Sequence, residues 1–404
     1  MQPLPASRDT TEPAPATQRR GRWWNDARVR GAASQVIVVG IIGLIIWYLA
    51  SNTIANLQAR NIASGFGFLG REAGFTVSEG PIPYSAADAY RRVFLVGILN
   101  TLKVSFIGIV GATLLGTIAG IARLSTNWLV ARFATVYVEG LRNIPVLLQL
   151  FFWYAFITEG LPHPRQALEP LPGLFLSNRG LIYPVPLAHP AFTVMAVAFL
   201  IAVAATWVIH RWARRRQERT GQLFPTVRVG AALIIGLPMA AYLLGGAPTA
   251  LEVPELRGFN FQGGGVVSPE FTALLVGLVM YTGTYIAEIV RGGILAVSHG
   301  QTEAALALAL KRSLVLRLIL LPQALRIIIP PLTSQYLNLT KNSSLAVAIG
   351  FPDLVAVANT SINQTGQAVE GIAIIMACYL TVSLSISAFM NWYNRRVELR
   401  GGRT

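Results

Sequence analysis

Charged residues are scarce in this sequence. They make up 13% of its 404 residues, whereas soluble domains average about 25%. Hydrophobic residues make up 53%, so a soluble fold of this size could not cover its surface with polar groups. The same composition excludes intrinsic disorder for most of the chain. The scarcity of charge therefore indicates a protein that lies in a membrane.

Cysteine and histidine are nearly absent as well. The single cysteine, Cys378, lies inside an apolar run, so the chain can form neither an intrachain disulfide nor a cysteine metal site. The four histidines are far apart in sequence: His163, His189, His210 and His299. We therefore expect this chain to bind no metal.

The sequence also lacks the common catalytic motifs. No GxxxxGK[ST] loop is present, so the chain has no phosphate cradle for ATP hydrolysis by that route. No Ser/His/Asp order and no pair of catalytic carboxylates stands out. The glycine clusters at 65–67 and 263–265 lack the strand-to-helix context of a nucleotide site, and we predict that they are turns. We expect a protein that is not an enzyme and binds no cofactor itself.

Long apolar runs dominate what is present. A helix needs about 20 residues to cross the hydrocarbon core. Eight runs approach or exceed that length: 34–54, 95–121, 134–157, 190–209, 229–246, 271–290, 327–350 and 371–392. Gly292 and Gly293 are expected to break the sixth run. The preceding segment 1–33 is predicted to be disordered and cytoplasmic. A cleaved signal peptide is the alternative for the first run, but the basic leader of about 30 residues favours an uncleaved span. The predicted fold is all-α and polytopic, with about eight transmembrane helices.

Basic residues predict the orientation of these spans. There are 33 of them against 18 acidic residues, a net charge of +15. If spans alternate from a cytoplasmic N-terminus, the basic residues of 1–30, 211–228, 291–326 and 395–403 all fall in the cytoplasm, as the positive-inside rule favours. Both termini are therefore predicted to be cytoplasmic. The charge then reflects topology, and we expect no nucleic-acid partner. The proline-rich loop 159–189 falls outside, where it is predicted to form an irregular cap without a central strand.

The predicted cytoplasmic loop 291–326 is the most informative stretch. Strong helix formers follow Glu303. The acidic Glu303 lies at one end of this predicted helix and Lys311 and Arg312 at the other, each with the sign that suits the helix dipole. A turn and a second short helix follow, and Pro322 starts or kinks the next element. Taken alone, this pattern also fits an ordinary amphipathic loop helix.

This loop resembles the EAA loop of ABC importer permeases, in which Glu-Ala-Ala is followed at fixed spacing by Gly, Ile and Leu-Pro. The matching positions are Glu303, Ala304, Ala305, Ile319, Leu321 and Pro322. Ala309 stands where the family usually has glycine, so either the first helix runs longer or the turn tolerates alanine. The resemblance implies that the 301–312 helix docks in a groove of a separate ATPase subunit and transmits its closure.

Other stretches resemble the polar amino-acid uptake family of these permeases: 100–125, 134–156, 281–294 and 321–350. The family core has five spans, which this chain would carry in 95–157 and 271–404. It adds an N-terminal span with an exterior segment, 34–94, and a two-span insert with exterior loops, 158–270. This enlarged pattern is similar to the Q-type permeases of general L-amino acid importers.

The resemblance also implies partners and a location. It implies a bacterial inner-membrane importer with a second homologous permease, an ATPase that holds ATP and Mg, and a periplasmic amino-acid-binding protein that delivers L-amino acids. Membrane lipid would surround the chain. One alternative is an ion-coupled secondary transporter, which would leave the EAA-like loop unexplained. Another is an ABC permease for a different small solute, such as an opine.

Ionisable residues at membrane depth are costly, so each is a candidate for function. Glu139 with Arg142, and Glu288 with Arg291, are spaced i, i+3 and share a helix face. These pairs serve either helix packing or gating.

The seventh run carries a polar stripe. Pro330 and Pro331 interrupt its backbone hydrogen bonding, and a series of polar residues follows. A helix face of this kind cannot point at lipid, so it lines either a substrate path or a contact with a partner subunit. The candidates are Asn338, Lys341, Asn342 and Ser343, with Gln149 of the third run as a weaker one.

Overall fold

The structure is a computed structural model that describes residues 27–59 and 64–397. The α-helices are α1 (Ala27–Ala59), α2 (Tyr90–Ala122), α3 (Trp128–Arg142), α4 (Val146–Gly160), α5 (Pro190–Thr220), α6 (Thr226–Leu244), α7 (Pro269–Leu295), α8 (His299–Ala307), α9 (Arg312–Val315), α10 (Leu321–Asn342), α11 (Leu354–Thr365) and α12 (Ala368–Val397). Segment 1–33 was predicted to be disordered, and its residues 1–26 lie outside the described part of the chain. Residues 27–33 belong to α1, so that part of the prediction is wrong.

The short strands are β1 (Leu168–Leu171), β2 (Leu174–Ser177), β3 (Gly180–Tyr183), β4 (Val185–Pro186), β5 (Leu251–Glu252), β6 (Glu255–Arg257), β7 (Asn260–Gln262) and β8 (Gly265–Val267). All of them lie in the loop between α4 and α5 or the loop between α6 and α7. We call these two strand-bearing loops, 161–189 and 245–268, the sheet cap.

Seven described helical segments are long and apolar enough to cross a membrane, and α3 with α4 makes an eighth if the bent pair is one span. This confirms the predicted polytopic helical fold. The third run is not one helix, however, because α3 and α4 meet at 106°. Pro145 lies at the break, where its missing N–H and its restriction of Ile144 oppose a continuous helix. Each of the two helices has 15 residues, or about 22 Å.

The chain divides into two compact units. One contains α1 and Thr365–Gln367, where the Gln367 side-chain amide donates to the Gly65 carbonyl oxygen at 3.0 Å. The other contains Gly67–Gln364 and the chain from Ala368 onward. All the sites described below lie in this second unit.

Close packing of α2 against α7 forms the centre of the second unit. Two glycines of α2 permit it. A Cβ atom at Gly116 would lie 2.6 Å from the Ile286 Cβ, and one at Gly120 would lie 2.6 Å from the Ala287 carbonyl oxygen. Helix α10 packs on both helices and on α12, and α4 covers another side of α7. Side chains larger than that of glycine therefore do not fit at the two positions where the α2 and α7 backbones approach each other.

Helix α7 continues through both glycines that were predicted to break it, so that prediction is wrong. A glycine inside a helix costs only about 1 kcal/mol relative to alanine. Packing explains Gly293, because a Cβ there would lie 2.3 Å from Ile328 Cγ1 of α10. The glycine is therefore a close-contact position and not a helix end.

Proline shapes the helical segment that contains α9 and α10. One turn of π-helix, Leu316–Leu320, joins α9 to α10 immediately before Pro322. Since Pro322 has no N–H and its ring crowds the carbonyl four residues earlier, widening of this turn is its expected local effect. Pro330 and Pro331 lie inside α10 without ending it. The segment is thus helical from Arg312 to Ile349, longer than the predicted run.

The sheet cap overturns the prediction of an irregular loop. Strands β1, β2, β3 and β8 form an antiparallel sheet in that order, so β3 is a central strand. Proline is compatible with it because Pro170 lies on the edge strand β1 and Pro172 and Pro184 lie between strands. Strand β4 pairs with β5 as well. The two loops therefore lie on the same side of the second unit. Helix α5 runs away from the sheet cap, and α6, which packs against α5, runs back to it.

Candidate functional site

The loop between α7 and α10 folds into the short helix α8, a turn, and α9. The turn is a Schellman motif: the Leu310 N–H donates to the Ala305 carbonyl and the Ala309 N–H donates to the Leu306 carbonyl. Ala309 occupies the left-handed position of this motif with φ +56°. The turn thus tolerates alanine, and helix α8 ends at Ala307 and does not run longer.

Helix α8 has one inward position and a broad exposed face. Ala305 is only 3% exposed and lies on the side where α8 packs against α9 and the π-turn. Ala305 is therefore covered by this chain itself and is not available as the centre of a docking face. Leu308 is 77% exposed. We call the exposed residues Glu303, Ala304, Ala307 and Leu308 the coupling face.

The remaining residues of the EAA-like pattern lie around this helix. His299 lies one helical turn before Glu303, and its Nδ1 is 2.9 Å from Glu303 Oε1, within hydrogen-bond distance. Both side chains are exposed. Lys311 precedes α9 and Arg312 begins it. Leu321 is exposed, whereas Ile319 and Pro322 are half-buried. The coupling face therefore carries a carboxylate at one end and apolar surface beyond it, and Lys311 and Arg312 follow its other end.

An ion cluster joins three helices at the end of the unit that carries α8. Arg123, directly after α2, places Nη1 2.6 Å from Glu288 Oε2 of α7 and Nη2 3.4 Å from Glu139 Oε1 of α3. Glu288 also binds Arg291 through two contacts, the Nε one at 3.2 Å. The Arg123 side chain is 12% exposed, so this cluster is partly shielded from solvent.

The cluster confirms one predicted pair and corrects the other. Glu288 and Arg291 pair as spacing predicted. Across the described ranges no ion pair joins Glu139 to Arg142, and Glu139 contacts Arg123 instead. The sequence analysis named no partner for Arg123. Its position immediately after an apolar span was the available signal, because such an arginine is close to any carboxylate at the end of a neighbouring span.

The polar stripe of α10 is split by the fold. Ser334, Asn338 and Lys341 are exposed on one helix face, with Asn342 half-buried beside them. Ser343 is fully buried and donates to the Thr340 carbonyl at 2.7 Å, so it does not share that face. The exposed part faces away from this chain's own core, as a path or a subunit contact would require.

Gln149 lies apart from the stripe. Its side chain is 4% exposed, and its amide nitrogen donates to the Leu141 carbonyl at 2.8 Å and the Ile144 carbonyl at 3.0 Å. The Leu141 carbonyl lies in the last turn of α3 and the Ile144 carbonyl lies in the break before α4, where helix hydrogen bonding is incomplete. The arrangement favours a role in fixing the α3–α4 bend.

Comparison with known proteins agrees with this architecture. Residues 112–399 match the family described as binding-protein-dependent transport system inner membrane component. The general L-amino acid transport system permease protein AapQ of Rhizobium johnstonii is 48% identical over 396 residues, 96% of this chain and 99% of that protein. The putative amino-acid ABC transporter permease protein YhdX of Escherichia coli is 51% identical over 92% of this chain and 95% of its own length.

A third relative has the same extent. The glutamate/glutamine/aspartate/asparagine transport system permease protein BztB of Rhodobacter capsulatus is 40% identical over 93% of this chain and 95% of its own length. The helices and the α7–α10 loop define a polytopic transport subunit. The chain belongs to the family of binding-protein-dependent transport system inner membrane components.

Proposed function

We propose that this chain is a permease subunit of an ATP-driven ABC importer for L-amino acids. The three relatives are amino-acid permeases by name and align along nearly the whole chain, including the insert. The single observation that carries the mechanism is the coupling face, an exposed part-apolar helix surface held between two core helices. Such a surface is unfavourable in water and calls for a protein partner.

In this proposal α8 transmits the closure of a separate ATPase to the spans. Three residues separate α8 from α7, and three more bring the chain to Lys311 and α9. Helices α7 and α10 pack together, and the Arg123–Glu288 contact ties α2 to α7 at the same end. A displacement of α8 would thus reach α2, α7 and α10 and rock them between inward- and outward-open states.

The exposed stripe of α10 supports a path beside a second permease. Asn338, Lys341 and Asn342 offer hydrogen bonds and positive charge on a face that this chain does not cover. Such a face suits the carboxylate of a passing amino acid or the polar surface of a partner helix. We place the substrate path at the contact between this chain and a homologous permease.

The remaining partners follow from the same proposal. An ATPase subunit holds ATP and Mg, while this chain binds neither. A periplasmic protein delivers the L-amino acid to the sheet cap, and the chain lies in the bacterial inner membrane with both termini cytoplasmic. Orientation is tested with Leu171→Cys and Arg215→Cys in a Cys378→Ser background. An impermeant thiol reagent should label position 171 in intact cells, and labelling of 215 alone would reverse the orientation.

Transport is tested with the complete importer in proteoliposomes. Binding protein outside and ATP inside should drive uptake of labelled L-amino acids, and a panel of unlabelled amino acids should compete. Uptake without ATP but with an ion gradient would instead indicate a secondary transporter. Competition by an opine but by no amino acid would assign a different solute.

A further inference from the structure

A cavity of about 460 Å³, lined by polar and apolar side chains, lies between the sheet cap and the adjoining ends of α4 and α7. Small-ligand sites typically have volumes of about 300–1,000 Å³. Two opposite charges line it, Arg179 and Glu270, among uncharged hydrogen-bonding side chains. The coupling mechanism proposed above makes no use of this cavity.

Arg179 is held at the tip of a short hairpin. Strands β2 and β3 pair with Ser177 opposite Gly180, so Asn178 and Arg179 form the turn between them. Pairing of β3 with β8 fixes the hairpin to the other loop of the cap. No ion pair found in the described ranges includes Arg179. Its side chain is exposed at the cavity, so the guanidinium presents to a ligand the planar fork that suits a carboxylate.

Glu270 lies on the opposite wall, in the first turn of α7, and accepts a hydrogen bond from the Tyr154 hydroxyl at 3.3 Å. The nearby Glu79 is already neutralised by Lys103 at 2.6 Å and accepts from the Ser268 hydroxyl at 2.6 Å. Glu270 has no such cation within the part of the chain that the structure covers. This carboxylate is available to a positively charged ligand group.

Asn178 adds an unmatched acceptor. Its side-chain nitrogen lies 3.3 Å from His163 Nδ1, while its buried Oδ1 has no hydrogen-bond partner among the described residues. Buried polar atoms are nearly always paired in folded proteins. A ligand N–H in the cavity would satisfy this oxygen.

We propose that the cavity binds a free α-amino acid, with the α-carboxylate at Arg179 and the α-ammonium at Glu270 and the Asn178 Oδ1. This inference rests on the proposed function and adds an outer binding site to it. These contacts recognise only the α-carboxylate and the α-ammonium, and none of them is to the side chain of the amino acid. The site would therefore accept amino acids of differing side chain, and it gives the insert a role, because the insert supplies the Arg179 wall.

The test uses the complex of both permeases and the ATPase in lipid nanodiscs, without binding protein, and measures equilibrium binding of labelled L-glutamine. Other L-α-amino acids should displace the label, whereas L-glutamine α-amide and N-acetyl-L-glutamine should compete poorly. Arg179→Gln and Glu270→Gln should each weaken binding about tenfold or more, because each removes a charged hydrogen-bond partner. Arg179→Gln should also lose the discrimination against the α-amide, an effect that misfolding would not produce.

Matched controls lie in the same cap. Arg257 and Glu255 pair with each other at 3.1 Å on β6 and do not line the cavity, so Arg257→Gln and Glu255→Gln should bind as the unsubstituted complex does. Unchanged affinity in both cavity variants, or no binding to the unsubstituted complex, would overturn the site. If the complete importer transports amino acids normally in that case, only the outer site is lost. If it transports none, the proposed function itself fails.

Discussion

Arg123 Nη1 lies 2.6 Å from Glu288 Oε2, which joins the end of α2 to α7. Glu288 has two close cationic partners, Arg123 and Arg291, whereas the second partner of Arg123 is the more distant and 60% exposed Glu139. Glu288→Gln should therefore cost more stability than Arg123→Gln, about 2–3 kcal/mol against about 1–2 kcal/mol. The measurement is the unfolding free energy of the purified complex. It should be combined with a double-mutant cycle, which isolates the Arg123–Glu288 coupling.

Glu139→Gln is the control for this cluster. Its carboxylate is 60% exposed and 3.4 Å from Arg123, and pairs this exposed contribute about 0–1 kcal/mol. A cost at Glu139 equal to that at Glu288 would contradict the geometry described here.

The turn after α8 predicts a stabilising substitution. Alanine at φ +56° is strained by roughly 1–2 kcal/mol relative to a right-handed conformation, a strain that glycine avoids. Ala309→Gly should therefore increase hydrogen-exchange protection of α8, with a net gain of up to about 1 kcal/mol. Ala307→Gly, two residues earlier and still helical, should lower that protection by about 0.5–1 kcal/mol. Effects of the same sign at both positions would show that the turn is not strained.

The coupling face predicts the position at which an added charge should uncouple the ATPase from this chain. Leu308→Asp should abolish co-purification of the ATPase and most substrate-stimulated ATP hydrolysis, because Leu308 is 77% exposed and is the largest apolar side chain of the face. It should leave the thermal stability of the chain unchanged. Ala305→Asp should instead lower that stability, since it buries a carboxylate inside the chain's own packing.

Leu223→Asp is the matched control for that experiment. Leu223 is 81% exposed in the loop between α5 and α6, on the side opposite the sheet cap. This substitution adds the same charge and should leave ATPase coupling intact. Equal uncoupling by both leucine variants would point to a general charge effect and not to α8.

The exposed stripe predicts a transport defect without an assembly defect. Asn338→Leu and Asn342→Leu remove hydrogen bonding at nearly constant volume and should lower uptake severalfold while both permeases still co-purify. If the face is a subunit contact, these variants should fail to assemble. Ser343→Ala is the comparison, because Ser343 is buried away from the exposed face and donates to the Thr340 carbonyl at 2.7 Å, so its loss should affect stability modestly, by about 1 kcal/mol. Normal uptake in the Asn338/Asn342 double variant would exclude a path here.

Asp353 lies between the seventh run and α11 with its carboxylate fully buried. The Ala356 N–H donates to its Oδ1 at 2.8 Å, while Oδ2 and the nearby Tyr379 hydroxyl fall outside hydrogen-bond geometry. Burial raises the pKa of Asp353 to about 7, against partial opposition from backbone N–H groups. The folded state therefore holds a proton that the unfolded chain releases near pH 4.

This shift fixes the sign of a pH effect. Stability linked to Asp353 is fully present below about pH 4, falls as the pH rises towards 7 and is lost above it. Asp353→Asn keeps the α11 cap and removes the titration. It should therefore be more stable than the unsubstituted protein at pH 8, by up to about 4 kcal/mol, and this difference in unfolding free energy should be smaller at pH 5. Asp353→Ala loses the cap as well and should be less stable than Asp353→Asn at both pH values. A stability difference between Asp353→Asn and the unsubstituted protein that does not vary with pH would refute this assignment.

Local pattern predicted the spans and the coupling loop. Apolar length alone placed seven of the eight spans, and the Glu303-to-Pro322 spacing placed α8, its turn and the start of α10 in order. These features depend on neighbours within one or two helical turns. Errors arose where packing overrides local preference, as at Gly293, whose close contact is with α10.

Long-range partners were beyond sequence reasoning. The pairing of β3 with β8 joins positions separated by two membrane spans, and neither the four residues of β3 nor the three of β8 signal a strand alone. The contact of Arg123 with Glu288 crosses 165 residues, so spacing could suggest only the local Glu288–Arg291 pair. The hydrogen bonds from the Gln149 side chain to the end of α3 and the break after it could not be predicted without knowing that the third run bends.

The strand pairing between the two loops of the sheet cap sets an order of events during biogenesis. Strand β8 follows α5 and α6 in the chain, so in the proposed topology the four-stranded sheet cannot close until both helices have entered the membrane and the second loop lies on the same side as the first. Retention of either loop on the wrong side would leave β3 with an unpaired edge. Closure of the sheet thus requires correct insertion of the helical hairpin that α5 and α6 form.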